Sequence, residues 1–159
     1  MQYSVLCVGK LKETYFADAV REYEKRLSRY GKMDIREVAD EKTPDGASET
    51  VEEQIREKEG ARLLSYMKDN MYVIALDIKG KSYDSVSFSE RLDSLMTQGK
   101  SHIAFVIGGS LGLSPSVLNR ADESVSFSEM TFPHQLMRVI LLEQLYRANR
   151  IRCHEPYHK

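Results

Sequence analysis

The chain has 159 residues, 42% of them hydrophobic and 30% charged, with four prolines and a net charge of −1 at pH 7. That length gives one domain with one core, spanning residues 1–159, and the composition is that of a folded globular protein rather than a disordered or fibrous one. A nearly neutral chain does not hold nucleic acid through a uniformly basic surface, so any RNA partner is met by a local patch.

"QYSVLCV" (2–8) reads as a short strand ended by Gly9. From Leu11 to Tyr30, the residues Phe16, Val20, Tyr23, Leu27 and Tyr30 draw one apolar stripe on a helix, and Gly31 ends it. "MDIREVA" (33–39) is a second strand, and "DEKTPDGAS" (40–48) is a turn-rich loop. A polar helix from about Ser48 to Lys68 leads to a third strand, "MYVIALD" (71–77), closed by Gly80. A short helix over 87–100 and a fourth strand, "HIAFVIG" (102–108), follow. Ser114 and Pro115 suit the N-cap and first position of a short helix to Arg120. "DESVSFS" (122–128) offers a brief fifth strand, and Pro133 opens a last helix to about Arg150. Strand and helix alternate throughout, which predicts an α/β fold with a largely parallel sheet flanked by helices.

The last helix departs from the one-sided pattern of a surface helix. Leu136, Met137, Val139, Ile140, Leu141, Leu142, Leu145, Tyr146 and Ala148 go most of the way round it. Either the helix is central and buried, or it packs on its own sheet and also on a second subunit.

No segment is a membrane span: the apolar runs Met71–Leu76 and Ile103–Gly109 are far shorter than the roughly 18–20 residues required. Met1–Gly9 is not a secretion signal, and a cytoplasmic location is expected. Cys7 and Cys153 read as free thiols of a reducing compartment.

Three strand ends have the texture of a pocket: "LDIKG" (76–80), "GGSLG" (108–112) and "SFSEMTFP" (126–133). Ligands of parallel α/β sheets gather beyond the carboxyl ends of strands. The glycine loop is neither a Walker loop, since no Gly-Lys-Ser/Thr follows, nor a dinucleotide fingerprint, since its spacing and position are wrong. Taken alone it is equally a tight turn needing positive φ. The tail "HEPYH" (154–158) matches the letters of a zinc-protease signature, but Pro156 forbids the helix on which that signature works, so no metal is expected.

Charge is segregated. From Pro133 onward Arg138, Arg147, Arg150, Arg152 and Lys159 outnumber Glu143 and Glu155, whereas residues 40–59 hold eight acids against Lys42, Arg56 and Lys58. His154, Tyr157, His158 and Lys159 are either a frayed terminus or a cluster that stacks on a base, binds its phosphate and exchanges a proton. Lys10 and Lys12 are either ordinary surface lysines or further phosphate contacts.

"FVIGGSLGLS", "SFSEMTFPHQLMRVILLEQLYRANRI" and the terminal "PYHK" together resemble the ribosomal RNA large subunit methyltransferase H family, in the knotted SPOUT class of S-adenosylmethionine-dependent methyltransferases. The likeness covers the whole chain. It implies a cytoplasmic homodimer that methylates N3 of a pseudouridine in 23S ribosomal RNA of the assembled ribosome. It also implies a deep C-terminal trefoil knot, where periodicity alone leads to an unknotted doubly wound sheet, because threaded chains are essentially absent among folds. Carried over residue by residue, the cofactor contacts are Leu76, Gly108, Phe127, Ser128, Glu129, Met130, Thr131 and Phe132, with Gly108 as the point where the backbone closes on the adenosyl group.

N3 of pseudouridine carries a hydrogen and is a poor nucleophile until that proton leaves, so a general base is expected. His158 and His154 are the candidates, with Tyr157 to stack or relay. Arg138 or Arg152 would stabilise the anion developing on the base, and Lys10, Lys12, Arg152 and Lys159 are the candidate RNA contacts. The last helix is the expected homodimer interface, with one subunit's tail or amino-terminal face completing the other's site. Two other readings stay open: a flavodoxin-like nucleotide-binding module, and a non-catalytic ribosome-binding factor.

Overall fold

A computed structural model describes residues 1–159. Five parallel strands form one sheet: β1 (Gln2–Val8), β2 (Lys32–Val38), β3 (Tyr72–Ser82), β4 (His102–Ile107) and β5 (Glu123–Ser126), in the order β2-β1-β4-β3-β5. The helices are α1 (Thr14–Leu27), α2 (Glu49–Leu64), α3 (Ser85–Thr97), α4 (Pro115–Arg120) and α5 (His134–Arg152). The expected α/β fold with a parallel sheet is observed. The order differs from the 2-1-3-4-5 arrangement of flavodoxin-like sheets by exchanging β3 and β4. That exchange removes the flavodoxin-like reading.

Strand alternation divides the core between two faces. Tyr3, Val5 and Cys7 of β1 and Ile103, Phe105 and Ile107 of β4 point to the side covered by α1, α3 and α5. Leu6 and Val8, with Ala104 and Val106, point to the side covered by α2 and α4. Both faces of β1 and β4 are therefore apolar, as strands covered on two sides require.

Local chemistry sets the helix starts. Ser48, Asp84 and Ser114 each accept a hydrogen bond from the backbone N–H three residues on. The Asp84 cap starts α3 at Ser85, two residues before the expected start. Helix α1 is shorter than its apolar stripe: it stops at Leu27 and Tyr30 lies in the following turn.

Gly80 does not close the third strand as expected; β3 continues to Ser82. Val125 of β5 stands opposite both Leu76 and Lys81, so the intervening residues bulge out of the ladder. A β-carbon on Gly80 would lie 2.6 Å from the Val125 nitrogen. Only glycine lets the strand return onto β5.

Helix α5 lies between α1 and α3, which accounts for apolar residues on several of its sides. Leu141, Leu142, Leu145 and Ala148 are buried. Leu136 and Ile140, one turn apart, remain half-exposed and outside the core cluster that takes in Met137 and Val139.

Candidate active site

The bulge after Leu76, the glycine loop after β4 and the segment after β5 converge on one pocket of about 480 Å³. Leu76, Gly108, Phe127, Ser128, Met130, Thr131 and Phe132 line it; Glu129 is exposed and does not. The bulge also turns Asp77, Ile78 and Lys79 toward the pocket. Leu113, Leu118 and Val125 supply apolar wall, and His134 and Met137 bring in the first turn of α5.

The glycine loop is a tight turn and a pocket wall at once. Gly109 and Gly112 form a bridge, the Gly112 N–H donates to the Gly109 carbonyl at 3.1 Å, and φ of Gly112 is +82°. A β-carbon on Gly108 would lie 2.7 Å from the Gly112 carbonyl carbon. Gly108 is thus required by its own loop, in line with the tight-turn reading, and it also lines the pocket.

Behind the loop stands Glu59, 4% exposed, which accepts from the Glu41 N–H at 3.0 Å. Burial is the main cause that raises its pKa, with Asp40 and Glu41 adding to it.

Arg138, expected to stabilise an anion, is buried and paired within its own chain. It is 1% exposed, and its guanidinium donates to the Glu37 carboxylate at 2.6 Å and the Gly9 carbonyl at 3.1 Å. Glu37 in turn accepts from the Leu11 N–H at 3.2 Å. These bonds tie α5 to the ends of β1 and β2, and Arg138 is not among the residues that line the pocket.

The tail is neither frayed nor at this pocket. Glu155 pairs with Arg150 and Arg29 and accepts from the Tyr30 hydroxyl at 3.1 Å. Tyr157 packs edge-on against Tyr146 at 4.9 Å, lies under the Arg147 guanidinium at 4.7 Å and donates to Glu143 at 3.0 Å. Burial and that carboxylate push the Tyr157 phenol up to about 12, so it holds its proton at neutral pH. His158 meets Arg147 at 3.1 Å. His154 adopts φ +55° and closes the C-terminus of α5, its N–H donating to the Ile151 carbonyl. None of His154, Tyr157, His158 or Lys159 lines the pocket of its own chain. Arg152 donates to Asn149 at 3.0 Å, while Lys10 and Lys12 are exposed beside the start of α5, with the Lys12 N–H bound to Gln135.

The family description "Predicted SPOUT methyltransferase" matches residues 1–158. The chain belongs to the SPOUT methyltransferase family. A C-terminal trefoil knot is characteristic of that family. Among curated proteins, one from Clostridium novyi and one from Bifidobacterium animalis are 60% and 57% identical to this chain over 159 residues, covering all of both partners in each comparison. Both are named ribosomal RNA large subunit methyltransferase H. A solved structure described as a probable methylase family protein from Haemophilus influenzae matches 99% of this SPOUT chain and 70% of its own, with a TM-score of 0.56 and 11% identity. At that identity the likeness concerns the fold.

For a SPOUT enzyme the expected group is an S-adenosylmethionine-type methyl donor, and the pocket fits it. Loop backbone at 108–112 and 127–132 offers donors and acceptors for an adenine edge, while Leu76, Val125 and Phe127 give the apolar wall that a purine ring needs.

His134 also lines the pocket. It lies within the family-like segment 126–151, but no catalytic spacing marks it there, and the parallel strand ends place it beside Gly9.

Proposed function

We propose that this SPOUT enzyme transfers a methyl group from S-adenosylmethionine to N3 of a pseudouridine in 23S ribosomal RNA of the assembled ribosome. The observation that carries this reading is the meeting of the three strand-end loops with α5 in one pocket, together with full-length likeness to proteins named for ribosomal RNA methylation. The single domain 1–159 acts in the cytoplasm as a homodimer, and no metal takes part.

Bound S-adenosylmethionine supplies a sulfonium-activated, electrophilic methyl group. Leu76, Gly108, Phe127, Ser128, Met130, Thr131 and Phe132 orient it, with Glu129 as an exposed neighbour; holding donor and acceptor in line is the main contribution of such a site. Leu136 and Ile140 offer the apolar start of a dimer interface beside the pocket. The tail residues His154, Tyr157, His158 and Lys159 meet the partner's pocket rather than their own, and with Lys10, Lys12 and Arg152 contact the RNA.

Labelled methyl transfer to whole ribosomes and to free ribosomal RNA, followed by nucleoside digestion, tests the reading. Label on N3 of one pseudouridine, with ribosomes preferred, is expected. Ribosome binding with neither cofactor affinity nor label would instead establish the non-catalytic factor.

A further inference from the structure

We propose that His134 accepts the proton from the nucleophilic ring nitrogen of the RNA base, in the same chain that holds the methyl donor; this rests on the methyl-transfer reading above. Four histidines are present. His102 is bonded to Ser4 at the opposite end of the sheet, and His158 is held by Arg147. The His154 backbone closes the end of α5 and its side chain is exposed, away from the pocket lining of its own chain. Of the four, His134 alone lines the pocket of its own chain, with Leu76, Gly108 and Phe132. A β-carbon built on Gly9 would lie 3.5 Å from the imidazole Nε2, so the ring sits over the end of β1.

The surroundings hold the ring in its accepting form. His134 is the first residue of the 19-residue helix α5, where the partial positive charge of the helix terminus opposes a second positive charge. Burial is the main cause that depresses its pKa; Arg138 on the next turn and Lys12 from the loop after β1 add to it, and Asp40 after β2 works the other way. Glu37, also on β2, is already bonded to Arg138. A neutral imidazole at pH 7 is the form a general base requires.

The step balances. The N3–H bond breaks and its proton goes to an imidazole nitrogen of His134. The pair left on N3 forms the new N–C bond, while the methyl carbon–sulfur pair stays on sulfur. Water takes the proton from the imidazolium afterwards.

Two measurements test this. Proton NMR titration of the protein without cofactor, with the signal assigned by its loss in His134→Asn, is expected to show His134 titrating below the ordinary value of about 6.5; titration at or above it overturns the proposal. Single-turnover methyl transfer to ribosomes at saturating donor is then compared across pH 6–10 for the wild type, His134→Asn and His134→Gln, with donor affinity measured by calorimetry. Donor affinity within about twofold, a rate at pH 7 reduced about 100-fold or more and recovery toward alkaline pH, where the base loses its own proton, are expected. An unchanged neutral rate overturns the proposal alone. So does an equal loss at every pH accompanied by lost donor binding, which marks a structural role. A wild type that methylates no ribosomal RNA removes the methyl-transfer reading and this proposal together.

Discussion

At the scale of single residues, Arg138 and His134 are placed differently from what the letters suggest: the arginine is buried in an ion pair and the histidine lines the pocket. Both follow Pro133 within six residues, and the letters alone favour the arginine as the group facing an anion. The fold decides otherwise because α5 starts directly over the ends of β1 and β2, where Glu37 and the Gly9 carbonyl are within reach of Arg138. A buried guanidinium must be paired, so its charge serves packing.

The histidines have a further consequence at this scale. Burial lowers the pKa of both His134 and His102, with Arg138 and Lys68 respectively as the next causes. Below the ordinary histidine value the unfolded chain binds protons that the folded chain does not, so stability falls as pH drops through about 6.5 and stops falling once the lower folded values are passed. Glu24 and Glu59, raised by burial, act in the opposite sense at lower pH. The unfolding midpoint is therefore expected to drop between pH 7 and pH 5, and less so in a His102→Gln, His134→Gln double variant. Equal pH dependence of the two proteins in thermal melts would refute this.

At the scale of elements, the hydrophobic alternation of β1 and β4 and the caps at Ser48 and Ser114 made the sheet and its helices legible. The bulge in β3 was not: "LDIKG" reads as a strand stopped by glycine, because the reason for Gly80 lies 44 residues away in Ser124 and Val125. The tail was hidden for the same reason. Its partners Tyr30, Glu143 and Arg147 belong to other parts of the chain, and local pattern shows only a polar terminus. The pocket loops were legible since all three carry turn residues at strand ends; Glu129, a cofactor contact implied by the family likeness, is exposed in an irregular segment where no period sets side-chain direction.

Gly80→Ala tests the bulge directly. Its β-carbon would meet backbone, which cannot rotate away, so β5 must move. A loss of about 3 kcal/mol or more is expected in urea unfolding, with faster amide exchange along Glu123–Ser126 and weaker cofactor binding, since Phe127–Phe132 follow that strand. Retained stability and exchange protection would show that β3 and β5 are not coupled in this way.

At the scale of the whole molecule, α5 links everything that the proposed reaction uses. Its first turn enters the pocket, its middle is core, its outer stripe begins with Leu136 and Ile140, and its end is clamped by the tail. Replacing Leu136 and Ile140 together by Glu would place two charges in the proposed interface. Light scattering is expected to shift from twice 18.3 kDa to 18.3 kDa, with methyl transfer lost while cofactor still binds. A wild-type chain that is monomeric in dilute solution, or a variant that remains dimeric, would count against an interface at this stripe.

The pairing of β1 with β4 bears on how the chain is made. Gln2 lies opposite His102 and Cys7 opposite Ile107, so one side of the first strand has no neighbour until a hundred further residues exist. At roughly 5–20 residues per second, that interval lasts about 5–20 s. During it, β1 can pair only with β2, through the α1 crossover, and its other edge is open to any passing strand. Order of emergence, rather than final stability, thus sets the period of greatest exposure to aggregation, and a nascent-chain chaperone would be needed most before β4 leaves the exit tunnel.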